Sequence, residues 1–417
     1  MRMLTSGGPI TNWAGNVTFR AAHVHRPTSI DELRALVGSS ARIRALGTGH
    51  SFNLIADTTA DLVRVDGLPA GVEIDRHTRI ARVAAGLRYA EVAAVLERAG
   101  FALANLASLP HISVAGSVAT GTHGSGDTQR GLASAVAALS LIAPDGTQVE
   151  IHRDTDPGAI VALGALGIVT ALTLDIEPTF QVAQHVYRDV PLAEIAESFD
   201  AVYGSAYSVS AFTTWRSGDA TVWQKRRVGA PEPTWTGAHP ATDTVNPVPG
   251  MSPANATAQL GVPGPWHERL PHFRPEFTPS AGRELQSELF VPRAAAAEAI
   301  AALREIGELI ASVLQVSEIR VVRADDLWLS PAYHRDSVAF HFTWIEDAQA
   351  VAPVLAQVEQ RLVPLGARPH WGKLTSIPAA RIVASYPCAN DFAALLRRFD
   401  PDGKFRNSYV DDLFPVT

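Results

Sequence analysis

The stretch Leu46-Gly-Thr-Gly-His-Ser-Phe-Asn53 is decisive for the fold, because here a short predicted strand (Arg42 to Leu46) ends abruptly and a glycine-rich loop follows. A second loop, Pro110 to Gly126, is also rich in glycine, serine and threonine. Such loops let backbone N–H groups approach an anion closely, and the hydroxyls add further donors. A diphosphate is the ligand that such donors suit best, although either loop alone is equally consistent with a tight turn.

The two loops exclude the commonest nucleotide-binding patterns. Neither matches the Walker sequence or G-x-G-x-x-G, so a P-loop or a nicotinamide site is not supported. His50 lies between Gly49 and Ser51, a position that presents a side chain rather than packing it, although a lone histidine is usually structural. His267-Glu268 lacks a second histidine four positions on, and there is one cysteine, so we predict no metal site.

Around the first loop, strands and helices alternate up to about Pro178. Ser29-Ile-Asp-Glu32 is a capping box that predicts a helix through Leu33, Leu36 and Val37. Asp145-Gly146 predicts a hairpin. The further predictions are paired strands at Val72–Asp75 and Ile80–Ala84, a helix at Tyr89–Arg98, hairpin strands at Ala133–Ile142 and Val149–Ile151, and a buried helix-turn-strand at Ala159–Leu174.

The second half of the chain differs from the first in composition and periodicity. Residues 229 to 282 hold much of the proline with little periodicity, which predicts long irregular segments. Beyond them we predict helices at Ala294–Ser312 and Val351–Leu362 and strands at Ser317–Arg323 and Val338–Ile345. This grouping favours an α+β domain built on an antiparallel sheet.

Composition narrows the class of protein. With 417 residues, two domains are expected, and a formal charge of -7 offers nothing to nucleic acid or an anionic membrane. The single cysteine, Cys388, and the absence of an apolar leader in Met1 to Asn12 predict a cytoplasmic protein. Only three basic residues are lysines, Lys225, Lys373 and Lys404, so a lysine in a pocket would be a marked choice.

Several longer motifs then give the sequence a resemblance to the vanillyl-alcohol-oxidase superfamily of FAD proteins, and within it to the alditol oxidases. The motifs span nearly the whole chain. They are Thr11-Asn-Trp-Ala-Gly-Asn16, Leu46 to Asn53, Ala107-Ser-Leu-Pro-His-Ile-Ser-Val-Ala-Gly116, Gly261-Val-Pro-Gly-Pro-Trp-His-Glu268, Ser317-Glu-Ile-Arg320, His341-Phe-Thr-Trp344, Pro369-His-Trp-Gly-Lys373 and Asp400-Pro-Asp-Gly-Lys-Phe-Arg-Asn407.

The resemblance implies a PCMH-type FAD-binding domain at 1–180, a substrate (cap) domain at 181–370 and a segment, 371–417, that returns to the first domain. It implies that His50 Nδ1 carries the 8α-methyl of FAD covalently. The other cofactor-binding residues that it implies are Leu46, Gly47, Thr48, Gly49, Ser51, Phe52, Ser108, Ser113, Gly116, Ser117, Val118, Ala119, Thr120, Gly167, Val169 and His370. The implied polyol pocket is Ser108, Glu318, Arg320, Thr343 and Lys373 with His341 beside them.

The residues themselves agree with a polyol pocket. On a strand, Glu318 and Arg320 are two apart and therefore share a face, where a carboxylate and a guanidinium can bind neighbouring hydroxyls. Without the resemblance, an exposed ion pair would be the better interpretation. Thr343 shares a face with His341 in the same way, and Lys373 follows the aromatic stretch His370-Trp371.

The activity implied is oxidation of the terminal primary hydroxyl of an alditol such as xylitol or sorbitol to the aldose. Hydride passes to flavin N5 with Lys373, Arg320 and Glu318 as catalytic residues, and O2 becomes H2O2. A polyol and O2 are thus the expected partners of a monomer. The alternatives are a sugar-1,4-lactone oxidase or dehydrogenase of the same fold, and a flavin-free carbohydrate-binding or metal-dependent protein.

Overall fold

A computed structural model describes residues 9–277 and 283–415. Residues 278–282 of the predicted irregular segment therefore lie outside the described residues. Residues 1–8 of the N-terminus, in which we predict no apolar leader, lie outside them as well. No helix within the described ranges is long and apolar enough to cross a membrane.

The first half alternates short strands and helices as predicted. Its elements are β1 (His23–His25), α1 (Ile30–Ser39), β2 (Ile43–Leu46), β3 (Asp61–Arg64), β4 (Val72–Asp75), β5 (Ile80–Ala84), α2 (Tyr89–Arg98), β6 (Phe101–Ala102), α3 (Val114–Ala119), β7 (Val136–Ile142), β8 (Gln148–His152), β9 (Ile168–Asp175) and β10 (Glu177–Pro178).

These strands form two main sheets. A parallel sheet has the order β1-β3-β2, and an antiparallel sheet has the order β4-β5-β9-β7-β8. The predicted pairing of β4 with β5 and the hairpin of β7 with β8 are confirmed. Helix α1 is also confirmed, and the Ser29 side chain accepts a hydrogen bond from the backbone N–H of Glu32.

The predicted helix at the start of Ala159–Leu174 is wrong. Only one 3₁₀ turn, Pro157–Ala159, precedes an irregular run that leads into β9. Leu163 and Gly164 have φ of 56° and 68°, in the left-handed region that no helix can include. Their carbonyls accept hydrogen bonds from the buried guanidinium of Arg44 instead, so a tertiary contact replaces the helical ones.

The second half is built on one large antiparallel sheet flanked by helices. Its elements are β11 (Gln181–Pro191), α4 (Leu192–Glu197), α5 (Phe199–Tyr203), β12 (Ser208–Thr213), β13 (Asp219–Arg227), β14 (His239–Pro240), β15 (Gly264–Pro265), β16 (Leu285–Pro292), α6 (Ala296–Glu305), α7 (Gly307–Ala311), β17 (Leu314–Val322), β18 (Ser337–Trp344), α8 (Ala348–Leu362), β19 (Arg368–Pro369), α9 (Ala379–Ala384), α10 (Ala389–Phe399) and α11 (Ser408–Leu413).

The sheet has the order β14-β11-β13-β12-β17-β18-β16-β19, with β15 beside β11. The single helix predicted at Ala294–Ser312 is wrong, because α6 and α7 are separate helices that meet at Ile306. The chain closes on Trp215 there, since a Cβ on Gly307 would lie 2.6 Å from the Trp215 carbonyl oxygen. Ile306 itself has φ of -109° and ψ of 18°, outside the helical region, so the helix breaks at this residue.

The C-terminal segment packs into the core of the first half. Phe405 is fully buried in that core, and its carbonyl oxygen accepts a hydrogen bond of 2.6 Å from Arg44. The Ile43 N–H donates to the Lys404 carbonyl oxygen, which ties the segment to β2 just before the first glycine-rich loop. The domain boundaries at 180 and 370 stay a prediction.

Candidate active site

A large cleft lies between the loops of the first half and one face of the large sheet. Its empty volume, counted out to the mouth, is about 1780 Å³. One end is formed by the two glycine-rich loops, and the other end by polar side chains of β16, β17 and β18.

The two glycine-rich loops pack directly against each other. Thr48 and Ser113 exchange hydrogen bonds, the Ser113 N–H donating to Thr48 Oγ1 at 3.1 Å and the Thr48 N–H to Ser113 Oγ at 3.4 Å. A Cβ at Gly47 would lie 2.3 Å from Ser113 Oγ, and Gly49 has a φ of 69°. Glycine is therefore required by a close approach at one position and by backbone conformation at the other.

Sixteen of the seventeen residues predicted to bind the cofactor line this cleft. Val118 does not, because it is buried in the hydrophobic core beneath α3. Those that do are Leu46, Gly47, Thr48, Gly49, His50, Ser51, Phe52, Ser108, Ser113, Gly116, Ser117, Ala119, Thr120, Gly167, Val169 and His370.

The His50 side chain is held firmly but leaves one nitrogen open. Its ring stacks on Trp13 with centroids 5.2 Å apart and planes at 13°, and Nδ1 lies 3.0 Å from Thr48 Oγ1. Among the described residues, Nε2 is buried without a hydrogen-bond partner. Burial, together with the positive charges of His111 and Lys373, lowers the pKa of His50 to about 3. The imidazole is therefore neutral and nucleophilic at physiological pH.

The polar end of the cleft comes from three neighbouring strands. Glu318 on β17 pairs in register with His341 on β18, which in turn pairs with Glu288 on β16. Glu318 and Arg320 share a face as predicted, and both are buried, so an exposed ion pair is excluded. Thr343 Oγ1 lies 3.3 Å from His341 Nε2 on the same face.

Arg320 is the centre of this charged cluster. One of its terminal nitrogens donates to Glu288 Oε1 at 2.5 Å and the other to Ser108 Oγ at 3.3 Å, while its Nε lies 3.6 Å from Glu318 Oε2. Within the part of the chain that the structure describes, Arg320 Nε and His341 Nδ1 are buried without a hydrogen-bond partner. Each of the two nitrogens has a carboxylate oxygen nearby, Glu318 Oε2 at 3.6 Å and Glu288 Oε2 at 3.5 Å, beyond hydrogen-bond distance.

Lys373 reaches the same cluster from the loop after β19. Its ammonium donates to Gln286 Oε1 and lies 4.9 Å from the centroid of the Phe52 ring. Burial lowers the pKa of Lys373 to about 8, against the attraction of Glu288. All six predicted polyol-pocket residues therefore line the same cleft as the loop that holds His50.

The charges at this end stabilise one another. Burial disfavours ionised Glu318, but Arg320 and His272 outweigh it and hold the pKa of that carboxyl well below its usual range. The pKa of Glu288 is depressed in the same way by Arg320 and His123 against its burial. Burial opposes the charge of Arg320 as well, yet the two carboxylates raise its pKa.

Several residues of the site were missed from the sequence. Gln286 and Glu288 lie two apart on β16, so the alternation of polar residues that indicated Glu318 and Arg320 could have indicated them too. His272 and Trp13 lie in irregular segments, where no periodicity points to a face.

One cluster of possible metal ligands lies elsewhere in the described ranges. His23 Nδ1 and His25 Nε2 both approach Asp61 Oδ1, at 3.2 and 3.0 Å. The His-x-His spacing of residues 23–25 is a signal that the prediction of no metal site overlooked. None of the three residues lines the cleft.

Comparisons with known proteins agree with this geometry. Residues 21–152 match the FAD binding domain family, and residues 281–413 match the D-arabinono-1,4-lactone oxidase family. The cholesterol oxidase of B. sterolicum shares the fold with a TM-score of 0.78 at 16% identity, over 98% of this chain and 96% of that one. Fold and site together define an FAD-binding flavoenzyme.

Full-length relatives place it more closely. The alditol oxidase of Streptomyces sp. (strain IKD472 / FERM P-14339) is 52% identical over 97% of this chain and 98% of its own length. The L-gulono-1,4-lactone dehydrogenase of Mycobacterium tuberculosis (strain CDC 1551 / Oshkosh) is 27% identical over 96% and 97%. The chain belongs to the PCMH-type, or vanillyl-alcohol-oxidase, family of FAD-dependent oxidoreductases.

Proposed function

We propose that this protein oxidises the terminal primary hydroxyl of an alditol to the aldehyde of an aldose, with O2 reduced to H2O2. The observation that carries the proposal is the buried set of donors and acceptors that converges at one end of the cleft. A chain of hydroxyls can satisfy such a set. The 52% identity to an alditol oxidase supports the same substrate class.

The residues of the cleft fit FAD. The close-packed glycine loops offer backbone N–H groups to a diphosphate, and His50 offers an open nitrogen beside Trp13. When bound, FAD supplies the chemistry, accepting a hydride from the carbinol carbon and passing the electrons to O2.

The polar residues bind and orient the substrate. Lys373 and Arg320 donate hydrogen bonds to the reacting oxygen and stabilise the negative charge that develops as its proton passes to solvent. This proton and the hydride together balance the two hydrogens of H2O2. Glu318, Ser108 and Thr343 bind the remaining hydroxyls, so that binding is converted into orientation. His341 lies beside Thr343 and restricts the rotation of its hydroxyl.

We propose further that His50 carries the flavin covalently. Its neutral imidazole and its open nitrogen support this attachment. The family resemblance implies Nδ1, whereas the open atom here is Nε2. Nδ1 lies 3.0 Å from Thr48 Oγ1, a contact that attachment at Nδ1 would replace. A tryptic peptide containing His50 should carry the flavin mass, and its fragmentation and NMR spectrum should identify the nitrogen. Complete release of flavin into the supernatant of acid-precipitated protein would contradict the attachment.

A screen of H2O2 release tests the activity. A site built to hydrogen-bond a hydroxyl rejects analogues that lack it by up to about 10⁴-fold or more. We therefore expect kcat/KM for xylitol or sorbitol to exceed that for propanol by at least on the order of 10²-fold. Equal values for the two would contradict the proposal.

A sugar-1,4-lactone oxidase or dehydrogenase is the second candidate, favoured by the match of residues 281–413 to the D-arabinono-1,4-lactone oxidase family. A lactone as the best substrate in the same screen would establish it. We also propose that the protein acts as a cytoplasmic monomer, which size-exclusion chromatography and cell fractionation test directly.

A further inference from the structure

A buried lysine lies directly behind the polar end of the cleft. Lys225, on β13, is 1% exposed and does not line the cleft. A buried ammonium is costly and is retained only where it has partners. Lys225 is also one of only three lysines in the chain, and the proposed chemistry does not use it.

The partner of Lys225 is His272, which stands between it and a pocket carboxylate. Lys225 Nζ lies 3.2 Å from His272 Nδ1 and also donates to the Leu270 carbonyl oxygen. On the other side of the ring, His272 Nε2 lies 2.9 Å from Glu318 Oε1. Three fully buried groups therefore form one line that ends at the substrate pocket.

The surroundings fix the plane of the His272 ring. Phe212 and Trp223 meet it edge to face, with centroids 5.0 and 5.4 Å away and planes at 84° and 86°. The backbone N–H of His272 donates to the Ser108 carbonyl oxygen at 3.1 Å, so His272 also holds the backbone of a pocket serine.

His272 has three polar neighbours, Glu318, Lys225 and Ser210, whose Oγ lies 3.3 Å from Nε2. Only the Nε2–H tautomer satisfies Glu318 and Lys225 together. Glu318, ionised beside Arg320, can only accept, so Nε2 must carry the hydrogen. Nδ1 then has a lone pair, which accepts an N–H of Lys225. Burial, aided by the charge of Lys225, lowers the pKa of His272 to about 4, so the ring stays neutral. Burial also lowers the pKa of Lys225 itself, to about 7, and the amine keeps N–H donors in either charge state.

We infer that Lys225 and His272 are positioning residues, which fix the Nε2–H tautomer and thereby hold Glu318 ready to accept a substrate hydroxyl. This inference rests on the proposed function, since it assigns Glu318 to the substrate. Oε1 is occupied by His272, which leaves Oε2, near Ser108 Oγ at 3.4 Å, to face the substrate. Without Lys225, no donor occupies the Nδ1 lone pair, so the ring can take a second proton there and bind Glu318 as an ion pair, which weakens the carboxylate as an acceptor for the substrate.

Kinetics of the holoenzyme test the inference. Lys225→Met keeps the length of the side chain and removes the donor, and we expect kcat/KM for xylitol to fall on the order of 10- to 100-fold. His272→Phe keeps the ring packing and should lose a similar factor, whereas His272→Gln, which can still donate to Glu318, should recover part of it. Lys404→Met is the matched control, because among the described residues Lys404 Nζ donates to the Val37 and Pro144 carbonyl oxygens, which lie outside the cleft. It should leave kcat/KM unchanged even if Tm falls.

A second readout separates this inference from the proposed function. With ¹⁵N-labelled histidine, the signal missing from His272→Gln identifies His272, which should be neutral with its hydrogen on Nε2 in the wild type. In Lys225→Met it should become protonated on both nitrogens, and a ring that stays neutral with its hydrogen on Nε2 would contradict the role given to Lys225. If the wild-type protein oxidises no alcohol, the proposed function fails, yet the tautomer is still measured. The inference is overturned by an Nδ1–H or protonated His272 in the wild type, or by a Lys225→Met variant with wild-type kcat/KM.

Discussion

Lys373 is the single residue whose role is most sharply defined by its surroundings. It is half-buried, donates to Gln286 and reaches the cleft beside Phe52. If it stabilises the developing negative charge, Lys373→Ala should slow anaerobic reduction of the flavin by xylitol by about 10²- to 10³-fold. Lys373→Arg should recover only part of the loss, because a planar fork cannot reproduce a compact ammonium.

Reoxidation of the reduced flavin by O2 is the internal control for that substitution. It should stay near the wild-type rate in Lys373→Ala. Normal reduction with slow reoxidation would assign Lys373 to oxygen activation, and a variant with both steps unchanged would show that the lysine has no role in the reaction.

The pH dependence of the reaction should report the same ammonium. The pKa of Lys373 is lowered to about 8 by burial, and the protonated form is the donor. kcat/KM for xylitol should therefore be highest below this pKa and fall as the pH rises through about 8. Lys373→Arg should abolish the alkaline fall, since arginine stays charged throughout this range. An alkaline fall that persists unchanged in Lys373→Arg would assign it to another group.

The role of a residue could be predicted from the sequence where that residue lies on a regular strand. Period-two alternation placed Glu318 and Arg320 on one face, and the structure confirms it. The residues that contact Glu318 and Arg320 from distant parts of the chain could not be inferred in the same way. His272 approaches Glu318 from an irregular segment 46 residues away, and no local pattern encodes that contact.

At the scale of elements, the contact between the two glycine-rich loops is the feature that shapes the cofactor end of the cleft. A side chain at Gly47 would meet Ser113 Oγ at 2.3 Å and approach Gly116 at 3.9 Å. Gly47→Val should therefore force the loops apart and reduce the flavin content of the purified protein, measured as the ratio of flavin to protein absorbance.

Gly71→Val is the matched control, because Gly71 has no heavy atom within 4 Å of its added Cβ and no left-handed φ. It should keep the full flavin content. If Gly47→Val also keeps it, the contact between the loops does not shape the cofactor site.

Elements were predicted well where periodicity and caps agree, and poorly where tertiary contacts override them. Helices α1 and α2 and the β4–β5 pair occur at the predicted positions. The apolar run from Ala159 has a helical pattern, yet Arg44 donates hydrogen bonds to its carbonyls. The chain turns there through residues with left-handed backbone conformation. Such a competitor lies more than 100 residues away and leaves no local trace.

At the scale of the whole molecule, the C-terminal segment closes the core beneath the first glycine-rich loop. Phe405 is fully buried there. Phe405→Ala should cost about 3–5 kcal/mol of unfolding free energy, since it leaves a cavity in a packed core. Tm should fall clearly, whereas Ile345→Ala, at an exposed position, should change it little. Equal Tm values for the two variants would contradict the assignment of this segment to the core.

The central claim is that the polar end of the cleft holds a terminal CH2OH group for hydride removal. Anaerobic stopped-flow reduction of the flavin by xylitol deuterated at particular carbons tests it most directly. Deuterium at the terminal carbons should slow reduction as a primary isotope effect, and the product should be an aldose. A primary isotope effect from deuterium at an internal carbon only, with a ketose as product, would contradict the account.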